Sequence, residues 1–398
     1  MNRIGTQQQT FHKLLSTMQV LIQLFFRLID WLLSYLRSFW ERWTGPILSL
    51  DSGRRVRIGS VIAEGGFSIV FRATEAGSSG ASNTVYALKR IRCEEQETLQ
   101  LCRKEASVHR TVGSQHANVM PLLGMAVEDK QCYMLFPYMP HSLRDEVNRR
   151  IFYKQVQHQG PQSRASPFPT QSFNNKKKNH GLDSIPPWSE IQALQIFRGV
   201  LDGIDAIHRA NFSHRDIKLE NILFRGSNNL TTPVVTDFGS SGPLSEPLQS
   251  RRDVIGIAET ASSHTTMPYR PPELFEGGVR VGEADLDFAK VDVWSLGCVL
   301  YGMLYGASPF ECEYNRSNGQ IKIVDCTQLR VIGSLPFPPP HTAPSNWYSQ
   351  DLTHDLIPWM LTQDRTKRPT LIQVIARVDS FLQEDTDTID VLINRNVM

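Results

Sequence analysis

Asp216, Lys218 and Asn221 stand close together in the run His214-Arg215-Asp216-Ile217-Lys218-Leu219-Glu220-Asn221, and Asp237-Phe238-Gly239 begins sixteen residues after Asn221. Two carboxylates, an ammonium and an amide in this order are what a phosphoryl transfer requires. That reaction asks little covalent chemistry of a protein; it asks for positioning and for neutralisation of charge. Asp216 is placed to orient an acceptor hydroxyl and take its proton. Asn221 and Asp237 offer an amide oxygen and a carboxylate to Mg²⁺ bridging phosphates, and Lys218 would offset charge on the group in flight. Either short run alone could be a charged loop beside a strand end. The two together, at this distance, are hard to produce by chance.

Upstream lies a candidate nucleotide clamp. Ala63, Glu64, Gly65, Gly66, Phe67, Ser68 and Val70 follow the glycine-rich pattern G-x-G-x-x-G-x-V only loosely, with Ala63 and Ser68 at the first and third glycine positions. A plain hairpin turn would use similar residues. Tyr86-Ala87-Leu88-Lys89 then matches V-A-I-K, whose lysine holds the α- and β-phosphates. Glu105, sixteen residues later in a helical stretch, is its candidate ion-pair partner. Gln131 to Phe136 reads as a buried strand leading into a hinge at Pro137-Tyr138-Met139. There Phe136 would be the gatekeeper, and Pro137 and Met139 would meet adenine; a proline keeps the carbonyl needed at its position.

The elements that position these groups follow from pattern. Short alternating runs from about residue 56 predict strands. Residues 153–187, rich in Gln, Ser, Asn and Pro and carrying Lys176-Lys177-Lys178, predict a low-complexity insert. Ser189 precedes an apolar repeat through Leu194, Phe197, Val200, Leu201, Ile204 and Ile207, the signature of a capped helix. About thirty residues after Gly239 comes Pro271-Pro272-Glu273, with Thr266 at the substrate-facing end of the segment. Glu273 and Arg368 are expected to pair and tie that segment down.

The chain has 398 residues, 40% of them apolar and 21% charged, with a net charge of +2, so nothing argues for a nucleic-acid partner. Its six cysteines form no C-x-x-C pair and read as reduced thiols of a cytosolic domain. Residues 14–43 are unusual. Ser16, Gln19, Gln23, Arg27, Asp30, Ser34, Arg37 and Glu41 recur every three or four residues, forming one polar stripe roughly 100° wide on an otherwise apolar helix about 45 Å long. Arg27 and Asp30 would cost about 5–7 kcal/mol at the centre of a membrane-spanning helix, against about 4–8 kcal/mol returned by the apolar residues between 14 and 36. The regular stripe suits a helix lying on a membrane surface, with Trp31, Trp40 and Trp43 at headgroup level. A spanning helix, or one docked on this domain or on a second copy, is the alternative.

With these residues in view, the chain resembles a eukaryotic protein kinase over about residues 57–383, of serine/threonine type because Lys218 lies in H-R-D-x-K-x-x-N. More narrowly it is similar to the Numb-associated kinase family, in its myristoylated and palmitoylated serine/threonine kinase 16 branch. Glu64-Gly65-Gly66-Phe67-Ser68, Arg103 to His109, Ala206-Ile207-His208, Tyr269 to Phe275 and Asp292 to Tyr301 carry that likeness. The resemblance implies an α+β, two-lobed fold with a β-rich small lobe at 57–136, a hinge at 137–140, a mainly helical large lobe at 141–383 and a tail at 384–398. It implies ATP and Mg²⁺ as cofactors, Ser/Thr of protein substrates as acceptors, and residence on the cytoplasmic face of Golgi or trafficking membranes. Its activation segment would need no phosphorylation, although Arg215 could receive a phosphate at Ser262, Ser263 or Thr265. Members of the branch attach through N-terminal acylation; Asn2 here cannot take a myristoyl chain, so the helix at 1–50 would replace the lipid. A membrane scaffold without activity is the rival reading, and a kinase with a luminal domain a second. The scaffold would be favoured by loss of Lys89, Asp216, Asn221 or Asp237, and all four are present.

Overall fold

The computed structural model describes residues 25–36, 45–65, 68–76, 84–158, 186–226, 232–314, 321–333 and 348–396. A helix over 25–36 (α1) precedes the domain. Then β1 (Ile47–Ser49), β2 (Arg55–Glu64), β3 (Ser68–Glu75), β4 (Val85–Arg92), β5 (Gly124–Glu128) and β6 (Gln131–Pro137) form one antiparallel sheet in the order β1-β2-β3-β4-β6-β5. The sheet begins at Ile47, ten residues before the boundary read from sequence. Leu48 and Leu50 explain the extension: both are buried against Val56, Tyr86, Leu88 and Leu135 on one face of the sheet.

Strand alternation sorts the rest. Along β4, Tyr86 and Leu88 join that face, whereas Ala87 and Ile91 pack on the opposite one, with Cys102 and Ala106 of α2 (Gln96–Val108) and with Met134 and Phe136 of β6. Lys89, two residues from each of Ala87 and Ile91, therefore points at α2. The helix turns Cys102, Glu105, Ala106 and Val108 inward at helical spacing and ends in a wider turn over His109–Gly113.

The large lobe is helical: α3 (Leu143–His158), α4 (Glu190–Arg209), α5 (Arg251–His264), α6 (Phe288–Tyr305), α7 (Gln328–Ile332), α8 (Ile357–Met360) and α9 (Leu371–Asn396). Ser189 caps α4 as its sequence predicts. Its hydroxyl accepts from the Gln192 N–H and its own N–H donates to the Gln192 side chain, an arrangement worth about 1 kcal/mol. Buried Leu194, Phe197, Leu201 and Ile204 join the core of the large lobe, through which α6 runs, itself buried on nearly all sides. Short ladders join β7 (Phe212–Ser213) to β10 (Gly242–Pro243), β8 (Ile222–Phe224) to β9 (Pro233–Val235), and β11 (Ser245–Glu246) to β12 (Leu286–Asp287). Helix α3 runs through His158, past residue 153, and residues 159–185 of the expected insert lie outside the described residues. The α9 backbone stays helical beyond 383, through a segment with neither glycine nor proline to stop it. No helix among the described residues is long and apolar enough to cross a membrane.

Candidate active site

The loop after β7 brings Asp216, Lys218 and Asn221 together. Asp216 Oδ1 accepts from both the N–H and the hydroxyl of Thr266, at 2.9 and 2.7 Å, and Oδ2 accepts from Lys218 Nζ at 2.7 Å. Lys218 also donates to the Thr266 hydroxyl at 2.9 Å. Asn221 donates its amide N–H to the Asp216 carbonyl at 2.9 Å, which commits the nitrogen and fixes the orientation of the amide. The loop hangs from α6: buried Asp292 accepts from the His214 and Arg215 N–H groups, each at 2.8 Å, and from His208 Nε2 at 2.8 Å. Burial alone would raise the Asp292 pKa, but these bonds and the nearby imidazoles hold it below the usual carboxylate range. Arg215 and Asp237 both adopt left-handed backbone, φ 70° and 67°. Such strain in non-glycine residues persists only where surrounding bonds over-determine it.

Lys89 completes the centre. Its ammonium donates to Glu105 Oε1 on α2 and to Asp237 Oδ1, each at 2.8 Å. Burial works against the Lys89 charge, yet the Asp237 and Glu105 carboxylates outweigh it and raise its pKa above the ordinary lysine range. In return the Lys89 charge, opposed by burial, draws Asp237 well below the usual carboxylate range. Glu105 is lowered too: burial, which would raise it, is overcome chiefly by the Lys89 charge. All three groups are charged near neutral pH.

The nucleotide clamp is partly in view. β2 and β3 form a hairpin with Ala63 opposite Val70 and Glu64 opposite Ile69, closed by a bond from the Gly65 N–H to the Ser68 carbonyl at 2.8 Å. Gly66 and Phe67 lie outside the described residues. Pairing of β4 with β6 sets Ala87 opposite Phe136 and Tyr86 opposite Pro137, at the start of the hinge, and half-buried Met139 packs against the cluster that holds Phe136. Through the Lys89–Asp237 bond, the residues expected to meet the nucleotide are thus joined to the loop segments expected to meet the acceptor. The donor set fits Mg²⁺. Among the described residues no group of three or more His, Cys, Asp or Glu is arranged for a metal. Asn221 and Asp237 would hold this ion through oxygen donors, leaving its other positions to substrate phosphates and water.

Thr266 was expected only at the substrate-facing end of its segment; its direct bonds to Asp216 and Lys218 were not read from sequence. Glu273 and Arg368 pair as expected, at 2.6 and 2.9 Å, both buried. Arg215 differs from the reading that left it open to a phosphate. It donates to Glu246 Oε1 at 2.6 Å, to Ser213 and to the Pro243 carbonyl, and stacks 3.5 Å from the Phe288 ring centroid. Ser262 and Ser263 are built into α5, and the Thr265 hydroxyl accepts from Arg270. Nothing in the local sequence marks Glu246 as that partner, because the contact arises from the β11–β12 ladder. Asp292 could have been found: it opens the motif Asp292-Val293-Trp294-Ser295-Leu296-Gly297.

Residues 56–378 match the protein kinase domain family. The chain is similar to serine/threonine-protein kinase 16 of Mus musculus, 28% identical over 327 residues, covering 80% of this chain and 88% of that protein. A probable serine/threonine-protein kinase of Dictyostelium discoideum is 26% identical over 397 residues, covering 83% and 95%. Serine/threonine-protein kinase ppk13 of Schizosaccharomyces pombe is 28% identical over 336 residues, covering 82% and 91%.

Proposed function

The chain belongs to the protein kinase family, as a eukaryotic serine/threonine kinase of the serine/threonine kinase 16 branch, and we propose that it phosphorylates Ser or Thr of protein substrates at the surface of an intracellular membrane. The observation that carries the chemistry is Asp216, with one oxygen on Thr266 and the other on Lys218. An acceptor hydroxyl entering the cleft takes the place of the Thr266 hydroxyl on Asp216, which orients it and accepts its proton. Lys218 faces the same point and offsets the negative charge that develops there. Lys89, held by Glu105, meets the α- and β-phosphates of ATP, and Asn221 and Asp237 hold Mg²⁺. The metal supplies charge neutralisation across the phosphates. Ala63, Gly65, Ser68 and Val70 cover the nucleotide, and Ala87, Phe136, Pro137 and Met139 receive its base.

The membrane part rests on α1. Phe25, Phe26, Leu28, Trp31, Leu32, Leu33 and Leu36 are all exposed, while Arg27, Asp30 and Ser34 fall on one stripe. So much apolar surface in water favours an apolar partner, and the narrow polar stripe suits a bilayer surface. The cytoplasmic face of Golgi or trafficking membranes is the setting that the branch suggests.

Two measurements test the reading. Transfer of ³²P from Mg·ATP to a generic Ser/Thr protein substrate falls about 10²–10⁴-fold in Asp216→Asn while nucleotide binding persists; undiminished transfer removes Asp216 as the base. Sedimentation with phosphatidylcholine–phosphatidylserine vesicles is lost when Phe25, Phe26 and Leu33 become Gln. Unchanged sedimentation ends the interfacial-helix reading and leaves the kinase reading untouched.

A further inference from the structure

His109 is a titratable side chain buried within reach of the active site that the chemistry above does not use. It follows α2 and has no exposed surface. Its Nδ1 lies 2.7 Å from the Met120 carbonyl oxygen. A carbonyl cannot donate, so Nδ1 carries the hydrogen and the ring is anchored by that bond. Nε2 has no hydrogen-bond partner and points to Glu105 Oε1, 3.9 Å away, the same oxygen that holds Lys89. In neutral imidazole this is a lone pair facing a carboxylate, an unsatisfied buried contact that costs free energy. One proton on Nε2 converts it into an ion pair across that 3.9 Å.

Burial opposes a charge on the ring, and its neighbours offset part of that cost. The ring sits between Phe136 and Phe238, with centroids 4.7 and 4.5 Å away, and aromatic rings accommodate a cation. The charged or titratable groups around it are Glu105 from α2, Lys89 from β4, Asp237 after β9 and, behind Phe238, His214 of the catalytic loop. β6 and the Met120 segment present Phe136 and a carbonyl, neither of them charged. Lys89 now serves two carboxylates. When phosphates engage Lys89, Glu105 keeps a smaller share of that ammonium, and an imidazolium at His109 is the group positioned to make up the difference.

We propose that His109 is a positioning residue for Glu105, taking up a proton at Nε2 as nucleotide engages Lys89. The proposal rests on the nucleotide reading above. Because the nucleotide-bound state holds the extra proton, affinity is higher at low pH and falls as pH rises. One proton limits the effect to about tenfold per pH unit.

The test is calorimetric titration of the full chain with Mg·ADP between pH 6 and 8, in buffers of different ionisation enthalpy. The wild type takes up a substantial fraction of one proton more than His109→Leu or His109→Gln; protonation of the nucleotide itself is common to all three and cancels. The pH slope of KM for ATP flattens in the variants, whereas the slope of kcat does not. The Gln variant keeps a polar group without an ionisable one, so it decides the matter if the Leu variant does not fold. Equal proton counts in the wild type and a folded variant overturn the role of His109. Absence of binding heat at every pH would instead overturn the nucleotide reading, and this proposal with it.

Discussion

Lys89 separates two carboxylates that would otherwise repel, and the pH dependence of the fold should show it. Glu105 and Asp237 both titrate below their ordinary range because of Lys89. The sign follows from linkage. The stability they contribute is full above about pH 4, the unfolded carboxylate value, and is lost as pH falls through their lower native values. Lys89→Met reverses this: two carboxylates are left facing each other without a counter-charge. The variant should be less stable by about 3 kcal/mol at pH 7, and the gap should narrow as pH falls toward 4 and protonation relieves the repulsion. Urea unfolding midpoints across that range measure it; a gap independent of pH would mean that Lys89 acts through packing alone. Every member of this triad was legible in the sequence, because motif order names the side chains that a phosphate site requires. Their sharing of one ammonium was not.

At the scale of elements, the activation segment is held by contacts that no motif announces. The β7–β10 ladder places Gly242 against Arg215, and a Cβ there would collide with the buried guanidinium. That guanidinium is fixed by Ser213, Pro243, Glu246 and the Phe288 ring, so it has little room to yield. Gly242→Ala should destabilise the domain by about 1–3 kcal/mol. Glu246→Ala, which frees Arg215 without crowding it, should lower phosphoryl transfer by about tenfold, the equivalent of about 1.4 kcal/mol in the barrier. Unchanged steady-state rates for Glu246→Ala would show that Arg215 is positioned well enough by its other partners. Helix positions were easier to read than these ladders. The capping box at Ser189 and the apolar repeat of α4 are local signals, whereas two-residue strands such as β7, β10, β11 and β12 carry almost none.

For the whole molecule, Glu273 and Arg368 join the end of the activation segment to the loop before α9 across 95 residues of chain. Both side chains are buried, at 3% and 0% exposed, so removing one leaves the other charged and unpaired. Arg368→Ala should cost about 3–5 kcal/mol, read as a lower midpoint in thermal or urea unfolding; a loss below 1 kcal/mol would place the pair among weak surface contacts. This pair was expected because Pro271-Pro272-Glu273 stands where A-P-E is expected, with Arg368-Pro369 following. By itself, the sequence determined the charged loop, the alternating strands and the capped helix α4, because these are written in local spacing, and its motifs carried the family resemblance from which the two-lobed fold and the kinase chemistry were expected. Only the tertiary structure decided that Lys89 meets Asp237 across 148 residues, that Glu246 fills the place beside Arg215, and that His109 turns an unpartnered nitrogen toward Glu105. Those contacts are set by which faces pack together in three dimensions, and the distance between two residues along the chain carries no record of that choice.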